Sequence, residues 1–527
     1  MTVADLVVAQ LVGAGVRTIF GVPGGGGNLD LIEAAGRAKL PFVLTATETA
    51  GAIAALAQTE VTGQIGACLT TLGPGATSVV NGVACAFLER APVVVFTDSQ
   101  FSLFAHQRID HATLMAPITK WSSSLRPNSA GWVLAFALRC ALHGRPGPVH
   151  LDCPNDVAAA TLGTDDLSFE LKDQLSSPDA RSRLETVLAA ARKPLLLVGL
   201  GARGAADAAA IRSLCSARNV PAMVTYKAKG VVPDVDPWFA GVFTNAAIEQ
   251  RMIDECDLLI GMGLDPVELI PRVWKRDQSI VYCGPWAVED AHVPFALQFV
   301  TDVATAVKAI EAILPPTTWD RDRVRQHLDE QRRRIDPPIE GLSAQRVVQI
   351  AAARLAGTAA RVTVDAGAHM FPATMLWPVW YPNGMLLSNG LSTMGFALPA
   401  AIGAALLDRD RPVVALTGDG GLLMCAGELL TAAREKLRII TIVFSDASLS
   451  LIEIKQQARS LAPAGVGLGA IDWQALAGSF GVRAWVATNE AELDRAAAEA
   501  LTCEGPTLIE AKIDRSNYGE TLRAIRG

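Results

Sequence analysis

The stretch from residue 412 to residue 448 constrains the fold of this chain more than any other. Its two short apolar runs, Pro412 to Thr417 and Ile439 to Phe444, have the length and composition of buried strands, and a helical pattern lies between them. Parallel strands joined by a helix end at one edge of a sheet, where open α/β sheets bind ligands. Because Asp419 and Asp446 follow the two strands, we expect their carboxylates to meet in one crevice.

Paired carboxylates at such an edge favour a site for a hard cation. Oxygen ligands suit Mg²⁺ or Ca²⁺, and Mg²⁺ usually keeps coordination positions for phosphate or water. The glycines on both sides of Asp419 let a phosphate approach the backbone N–H groups. The alternative is that Gly-Asp-Gly forms an ordinary turn and that Asp446 caps a helix, which the tripeptide alone does not exclude. The pairing of the two acidic strand ends favours a metal-bridged phosphate.

This stretch resembles the metal-binding motif of the thiamine diphosphate (ThDP) enzymes, in which Gly-Asp-Gly, a helix and a strand ending in Asn-Asn follow one another. The nearest likeness is to the acetolactate synthase and 2-oxo acid decarboxylase group, although Ser445-Asp446 replaces Asn-Asn. The resemblance implies ThDP and Mg²⁺ as cofactors. It implies Asp419, Asp446 and the backbone carbonyl of Ser448 as metal ligands. The glycines that would face the cofactor are Gly418, Gly420 and Gly421.

The rest of the chain predicts an α/β protein of three domains. At 527 residues it is too long for one hydrophobic core. Short apolar strands alternate with helical segments, as in parallel sheets covered by helices. We therefore expect three doubly wound parallel-sheet domains at residues 1–165, 185–335 and 343–527. The resemblance implies that the first binds the ThDP pyrimidine, the second is a middle domain, and the third binds the diphosphate and its metal.

The composition indicates small-molecule chemistry in a cytoplasmic protein. The formal net charge is −7 and only 19% of the residues are charged, without a Lys/Arg cluster, which argues against a nucleic-acid surface. No apolar run approaches the length of a membrane span, so we expect no membrane partner. The nine cysteines are scattered without a close pair, and the amino terminus lacks a signal-peptide pattern. Both features are typical of a cytoplasmic location.

In the first domain, Glu48 follows an apolar strand and precedes a helix rich in small residues. Such a carboxylate is commonly a helix cap. The resemblance implies instead that Glu48 is catalytic. It would hydrogen-bond N1′ of the cofactor's aminopyrimidine and favour the tautomer that removes the C2 proton of the thiazolium. The resemblance also implies a cofactor contact for Gly73, in the turn Gly73-Pro74-Gly75-Ala76. We predict a cofactor contact for Gly25 as well, because its glycine run could bring backbone close to a ligand; the alternative is a permissive loop.

The loop before Lys120 would decide the substrate. Counting back from Pro117-Ile118-Thr119-Lys120, Gln107 stands where acetolactate synthases have a substrate-side Gln, and His106 replaces their usual Phe. His106 or His111 could serve as an acid/base group or bind a carboxylate. The alternative for each is a hydrogen-bonded surface histidine. We predict Gln107 and His106 among the catalytic residues and His111 in the substrate pocket.

Two further segments of the third domain resemble cofactor-binding parts of the family. The loop after Asp365 contains Gly367 and His369, which would touch the diphosphate; the alternative is a buried structural histidine. Met394 matches the apolar residue that holds the two rings of ThDP in a bent conformation, whereas without the resemblance it reads as a core residue. By the same resemblance, the residues of the substrate pocket include Leu451, Ile452 and Lys455.

The middle domain contains a glycine motif that is typical of dinucleotide sites but incomplete. Residues 199–204, Gly-Leu-Gly-Ala-Arg-Gly, fit GxGxxG, yet no acidic residue closes a strand at the distance that the Rossmann pattern requires. We interpret the motif as a tight turn. Residues 262–268 lack the Arg of the FAD-binding synthases. This difference argues against a bound FAD and leaves the question open.

The resemblance covers the whole chain and implies a carboligase of the acetolactate synthase type. Such an enzyme decarboxylates a 2-oxo acid on ThDP and transfers the resulting enamine to a carbonyl acceptor. Two alternatives stay open: a 2-oxo acid decarboxylase or carbon–carbon lyase without carboligation, and a non-catalytic paralogue. In the family the catalytic glutamate and the metal site come from different subunits. We therefore expect a homodimer or a dimer of dimers that acts on a small 2-oxo acid or related carbonyl compound.

Overall fold

The computed structural model describes residues 1–99, 106–163, 178–289 and 292–527. Within these residues the strands form three six-stranded sheets flanked by helices, and every strand pair is parallel. The predicted α/β class with three doubly wound parallel sheets is confirmed. We call the parts of the chain around the three sheets the first, middle and third domains; their boundaries remain those predicted from the sequence.

The first domain positions Glu48 at the start of a helix. Its strands are β1 (Ile19–Val22), β2 (Phe42–Leu44), β3 (Gly66–Thr70), β4 (Val93–Ser99), β5 (Trp121–Ser124) and β6 (Val149–Pro154), in the order β2-β1-β3-β4-β6-β5. Its helices are α1 (Val3–Gly13), α2 (Gly27–Arg37), α3 (Glu48–Thr62), α4 (Pro74–Ser78), α5 (Val80–Leu88), α6 (His111–Met115), α7 (Ala130–Leu142) and α8 (Asn155–Ala158), with a 3-10 helix at Ala116–Ile118. Helix α3 begins at Glu48 because the Thr47 side chain accepts the Ala50 N–H group at 3.2 Å.

The middle domain repeats the architecture. Its strands are β7 (Pro194–Val198), β8 (Ala222–Val224), β9 (Phe239–Val242), β10 (Leu258–Met262), β11 (Ser279–Gly284) and β12 (Phe295–Val300), in the order β12-β11-β10-β7-β8-β9. Its helices are α9 (Pro178–Ala190), α10 (Ala205–Arg218), α11 (Gln250–Asp254), α12 (Val303–Ile313) and α13 (Arg321–Ile335), with 3-10 helices at Leu200–Ala202 and Pro266–Glu268. The GxGxxG segment thus forms a tight 3-10 turn at the end of β7.

The third domain brings the two acidic strand ends together. Its strands are β13 (Arg361–Val364), β14 (Met385–Leu387), β15 (Val413–Gly418), β16 (Ile439–Ser445), β17 (Arg483–Ala487) and β18 (Thr507–Lys512), in the order β14-β13-β15-β16-β18-β17. Its helices are α14 (Ala344–Arg354), α15 (Met370–Leu376), α16 (Ala397–Leu407), α17 (Asp419–Cys425), α18 (Glu428–Arg434), α19 (Ser450–Ala458), α20 (Trp473–Ser479), α21 (Glu490–Leu501) and α22 (Tyr518–Arg526). Strands β15 and β16 are neighbours in register, with Gly418 opposite Phe444. Their carboxyl ends therefore lie side by side.

Small residues allow the first and third domains to pack closely. Helices α3 and α16 contribute buried alanines to one shared hydrophobic core. A Cβ at Gly403 would lie only 2.2 Å from the carbonyl oxygen of Ala54, so only glycine fits at this crossing. The Gln58 side chain donates to the Gly403 carbonyl at 3.2 Å. This contact fixes the relative placement of the two domains within one chain.

A buried ionic cluster, which we call the Lys227 cluster, joins all three domains. The Lys227 ammonium lies 2.5 Å from Glu60 and 3.1 Å from Glu89, both in the first domain, and it donates to the Leu387 carbonyl of the third domain at 2.8 Å. Arg203 pairs with Glu60 at 3.0 Å. The side chains of Lys227, Glu60 and Glu89 are each 1% exposed. Burial opposes all these charges, yet the mutual attraction raises the pKa of Lys227 and lowers the pKa of Glu60.

Two observations bear on the cellular setting. No helix within the described ranges is long and apolar enough to cross a membrane. All nine cysteines are free thiols. The cytoplasmic location stays a prediction.

Candidate active site

The Asp419 carboxylate lies at the start of α17 and is 3% exposed. Its Oδ2 accepts the N–H groups of Asp446 at 3.2 Å and Ala447 at 2.7 Å, and its Oδ1 accepts the N–H group of Gly420 at 2.8 Å. These bonds join the end of β15 to the turn after β16. The two acidic strand ends are therefore in direct contact.

The turn after β16 presents further oxygen atoms at the same place. Asp446 accepts the Ser448 N–H group at 3.1 Å and the Ser450 hydroxyl at 2.5 Å. Ala447 has a left-handed φ of 57°, which reverses the chain direction. An antiparallel bridge pairs Ser448 with Gly467 through hydrogen bonds of the flanking residues. Since neither bond uses the Ser448 carbonyl, that oxygen remains available as a ligand.

Burial disfavours the charge of both carboxylates in this crevice, the buried Asp419 and the half-buried Asp446. Burial is the main cause that raises the pKa of Asp419, and the neighbouring charge of Asp446 raises it further. Burial also raises the pKa of Asp446, although the hydrogen bond from Ser450 opposes the shift. A divalent cation between the carboxylates would remove this penalty. A donor set made only of oxygen atoms suits Mg²⁺, so these residues fit the metal that the sequence predicts.

Asp365, at the carboxyl end of β13, organises the site although the sequence did not single it out as a site residue. Its buried carboxylate accepts the N–H groups of residues 395–397 and the Thr417 hydroxyl at 2.6 to 3.2 Å. It thereby fixes both the start of α16 and the end of β15. Only glycine fits beside it, because a Cβ at Gly421 would lie 2.1 Å from its Oδ2. An acidic residue after an apolar strand was the signal that could have found it.

His369 is buried beside the acidic pair. Its ring stacks on Phe444 with centroids 5.0 Å apart, and burial lowers its pKa to about 4. Glycines make room for it, because a Cβ would approach the ring to 2.7 Å at Gly367 and to 3.3 Å at Gly418. The Nε2 atom has no hydrogen-bond partner among the described residues. An unpartnered buried polar atom beside two strand ends that carry glycines fits a phosphate-bearing ligand.

These groups surround one cavity of about 370 Å³, a volume typical of small-ligand sites. Met394 lines it, and a Cβ at Gly420 would approach the Met394 methyl group to 3.1 Å. Every predicted site residue of the third domain lines the cavity: Gly367, His369, Met394, Gly418, Asp419, Gly420, Gly421, Asp446, Ser448, Leu451, Ile452 and Lys455. Phe371 and Arg526, which the sequence did not point to, line it as well.

The predicted site residues of the first domain form a separate group. Glu48 is half-buried, and its carboxylate lies against the glycine turn, 3.3 Å from where a Cβ of Gly75 would be. Gly73 needs its positive φ of 54°, and a Cβ there would lie 2.4 Å from the Gln107 carbonyl oxygen. Gln107 and His106 are exposed in the single chain. None of these residues lines the cavity of the third domain.

His111 lies under the glycine turn, and it does not line the cavity. It is 5% exposed, and its Nε2 accepts the Gly73 N–H group at 3.1 Å. Its Nδ1 donates to Asp152 at 2.8 Å, and Thr97 and His150 complete the buried network. His111, His150 and Asp152 come as close together as metal ligands, but their nitrogen and oxygen atoms are engaged in these hydrogen bonds. The arrangement holds the glycine turn.

Two buried carboxylates fix the loops beside Glu48, and the sequence did not reveal either. Asp98, at the end of β4, accepts the backbone and side-chain N–H groups of Asn28 at 2.8 Å and so fixes the loop that contains Gly25. Glu428, on α18 of the third domain, accepts the N–H groups of residues 46 and 47 at 2.9 and 3.1 Å. Burial raises the pKa of each carboxyl to about 6.

Comparison with known proteins identifies the family. The thiamine pyrophosphate enzyme N-terminal TPP binding domain matches residues 1–114, the central domain matches residues 182–310, and the C-terminal TPP binding domain matches residues 365–511. The acetolactate synthase isozyme 2 large subunit of Escherichia coli (strain K12) is 30% identical, over 98% of this chain and 96% of its own length. The chain belongs to the thiamine pyrophosphate enzyme family.

Other relatives are similar along most of their length. The catabolic acetolactate synthase of Raoultella terrigena is 29% identical over 97% of this chain and 95% of its own length. The acetolactate synthase of Bacillus subtilis (strain 168) is 28% identical over 98% of this chain and 93% of its own length. As a ThDP enzyme of the acetolactate synthase type, this protein forms or cleaves a carbon–carbon bond, and its cofactors are thiamine diphosphate and Mg²⁺.

The middle domain of this ThDP enzyme fills the edge at which a nucleotide would bind. Glu268 accepts the Leu200 N–H group in the GxGxxG turn at 2.9 Å, so this N–H group is already bonded and is not free to bind a phosphate. Trp286 packs on the same turn, within 3.1 Å of where a Cβ of Gly201 would be. Tyr282 lies beside them in a buried cluster. The absence of FAD remains a prediction, and these contacts supply a physical reason for it.

Proposed function

We propose that this ThDP enzyme is a carboligase of the acetolactate synthase type, which decarboxylates one 2-oxo acid and joins the remaining fragment to a carbonyl acceptor. The observation that carries the proposal is the cavity of the third domain. Its lining combines the paired carboxylates at the strand ends with the apolar side chains Leu451 and Ile452 of α19. The relatives that match nearly the whole chain are named acetolactate synthase, which supports the carboligase reaction rather than simple decarboxylation.

Each group has a role that its position supports. When bound, ThDP supplies a nucleophilic carbon and accepts the electrons released by decarboxylation. Asp419, Asp446 and the Ser448 carbonyl would hold Mg²⁺, and His369 would face the diphosphate. Glu48 would hold a proton at N1′ of the aminopyrimidine. Because Glu48 is the first residue of a fixed helix, its backbone is held in one orientation. Leu451 and Ile452 would exclude water from the reacting carbon.

We further propose that one active site is made by two copies of the chain. Glu48 lies against the glycine turn of the first domain, whereas the described residues that line the cavity all belong to the third domain, so the two halves of the site lie apart in the single chain. Leu44, Leu423, Met424 and Leu430 are 43% to 61% exposed, and all lie near the α17–α18 segment that begins at Asp419. Exposed apolar side chains near a site favour a subunit interface.

The reaction is tested by NMR of the products formed from carbon-13-labelled pyruvate with ThDP and Mg²⁺. We expect acetolactate, with product formation lost when either cofactor is omitted. Acetaldehyde without acetolactate would replace the carboligase with the decarboxylase alternative. Binding of ThDP without turnover of any tested 2-oxo acid would favour the non-catalytic paralogue.

A further inference from the structure

The cavity contains two cationic side chains that no described acidic group neutralises. Lys455 on α19 and Arg526 on α22 both line it. The acidic residue of α19, Glu453, is already engaged by Arg515 at 2.6 Å and by the Ser448 hydroxyl at 2.7 Å. Within the described ranges no carboxylate lies within 4.0 Å of the Lys455 ammonium or the Arg526 guanidinium. The two cations therefore lack a partner of opposite charge in the part of the chain that the structure describes.

Arg526 is built into this position by its surroundings. The backbone carbonyl of Ile525 accepts the N–H groups of Ala247 and Ile248, both at 3.1 Å, which fixes the end of α22 against the middle domain. The guanidinium lies over the Phe371 ring, 5.1 Å from its centroid. Its Nε atom is buried and has no hydrogen-bond partner among the described residues. A buried hydrogen-bond donor without a partner costs free energy. The arrangement is therefore typical of a site that binds an anion.

The location separates this subsite from the phosphate-binding end. The phosphate end is formed by strand termini and glycines, with His369 beside them. Arg526 lies among the helices α15, α19 and α22, next to an apolar cluster to which Phe371, Ile525 and Leu451 belong. An anion bound there would have apolar walls on its uncharged side. A small carboxylate fits this chemistry, because a guanidinium can bind both carboxylate oxygens.

We propose that Arg526, assisted by Lys455, binds the carboxylate of the acceptor 2-oxo acid. This inference rests on the proposed carboligase function. With pyruvate as both substrates, the bond from the donor's carbonyl carbon to its carboxylate breaks and CO₂ leaves. A new bond joins that carbonyl carbon to the carbonyl carbon of the acceptor, whose oxygen takes up one proton. The acceptor keeps its carboxylate through the whole reaction, so a lasting cationic subsite serves the acceptor and not the donor.

The test compares a charged and a neutral acceptor in the same reaction. Carbon-13-labelled pyruvate is incubated with the holoenzyme and unlabelled acetaldehyde, and NMR separates acetolactate, labelled in both halves, from acetoin labelled in one half. In Arg526→Gln we expect the ratio of acetolactate to half-labelled acetoin to fall about tenfold or more, the loss of one charged hydrogen-bonded contact. In Arg526→Lys, which keeps the positive charge, this ratio should fall less. Arg523→Gln, an exposed residue on the same helix, should not change the ratio.

Binding measurements separate a failure of this inference from a failure of the proposed function. An unchanged product ratio in Arg526→Gln would overturn the inference, as would a loss of ThDP affinity, which would assign the cation to the diphosphate. If the wild-type protein does not convert pyruvate, the proposed function fails for this substrate. The subsite is then tested by calorimetric titration of the ThDP–Mg²⁺ holoenzyme with oxamate, an unreactive analogue. Wild-type binding that weakens at least about tenfold in Arg526→Gln supports it; equal binding, or none to wild type, overturns it.

Discussion

Replacing Lys227 with methionine should destabilise the protein strongly. The ammonium is fully buried between Glu60 and Glu89 and also donates to the Leu387 carbonyl. Methionine has a similar volume but leaves Glu89 without a cation and the carbonyl without its donor. Breaking a buried ion pair by removing one partner costs about 3–5 kcal/mol. Because Arg203 still neutralises Glu60, we expect the free energy of unfolding to fall by about 4 kcal/mol.

The assay is thermal unfolding of the apoprotein followed by tryptophan fluorescence. At roughly 2–4 °C per kcal/mol for domains of this size, the apparent Tm should fall by about 8–16 °C. Lys229→Met is the matched control. Lys229 is also buried, but among the described residues its one salt bridge is with Asp234, whose side chain is 10% exposed and can be hydrated. The Tm of Lys229→Met should therefore fall clearly less than that of Lys227→Met.

A second variant decides whether the uncompensated charge is the cause. Adding Glu89→Gln to Lys227→Met removes the unpaired carboxylate and should restore at least about half of the lost Tm. The reasoning would be refuted if Lys227→Met unfolded within about 2 °C of the wild type. It would also be refuted if the second substitution lowered the Tm further.

Three further outcomes follow from other buried groups. Burial raises the pKa of Glu268 to about 8, so its protonated form contributes stability that is complete below its ordinary pKa and is lost as the pH rises through 8. The Tm of Glu268→Gln should therefore rise relative to the wild-type Tm between pH 5 and pH 9. Parallel curves of Tm against pH for the two proteins would contradict this. Glu428→Ala frees the backbone just before Glu48, so kcat should fall about tenfold or more while ThDP affinity is kept, whereas Glu428→Gln, which retains the acceptor oxygen, should stay near wild type; similar losses in both would show that the hydrogen bonds are not what matters. Because Glu268 and Trp286 fill the edge of the middle sheet, the purified protein should show no flavin absorbance near 450 nm, and a stoichiometric flavin spectrum would disprove that account.

The sequence predicted the parts of the site that follow from strand order. Parallel strands with acidic residues at their ends placed Asp419 and Asp446 together, and the structure has them in contact. Pattern alone could not reveal residues that reach the site through tertiary packing. Glu428 meets a loop 382 residues away, and Arg526 enters the cavity because α22 docks on the middle domain. No local periodicity records such contacts.

The role of His111 shows a second limit of sequence reasoning. A histidine in a polar loop is compatible with substrate binding, catalysis or a structural hydrogen bond. The sequence led us to predict His111 in the substrate pocket, with a hydrogen-bonded surface histidine as the alternative. The contact that distinguishes them is the Gly73 N–H group, which comes from another loop and donates to Nε2. Chemistry at strand ends was therefore predictable, whereas the groups that support it depended on the three-dimensional arrangement.

Complementation between two inactive variants tests the central claim most directly, namely that Glu48 of one copy and the Asp419 cavity of another make one active site. Glu48→Gln and Asp419→Asn are co-expressed, and ThDP-dependent product formation is measured. A mixed dimer contains one site with both substitutions and one wild-type site, so about half of the dimers should be mixed and roughly a quarter of the wild-type activity should return. Each variant alone should stay inactive. If the co-expressed variants form mixed dimers but remain inactive, each site belongs to a single chain and the account is contradicted.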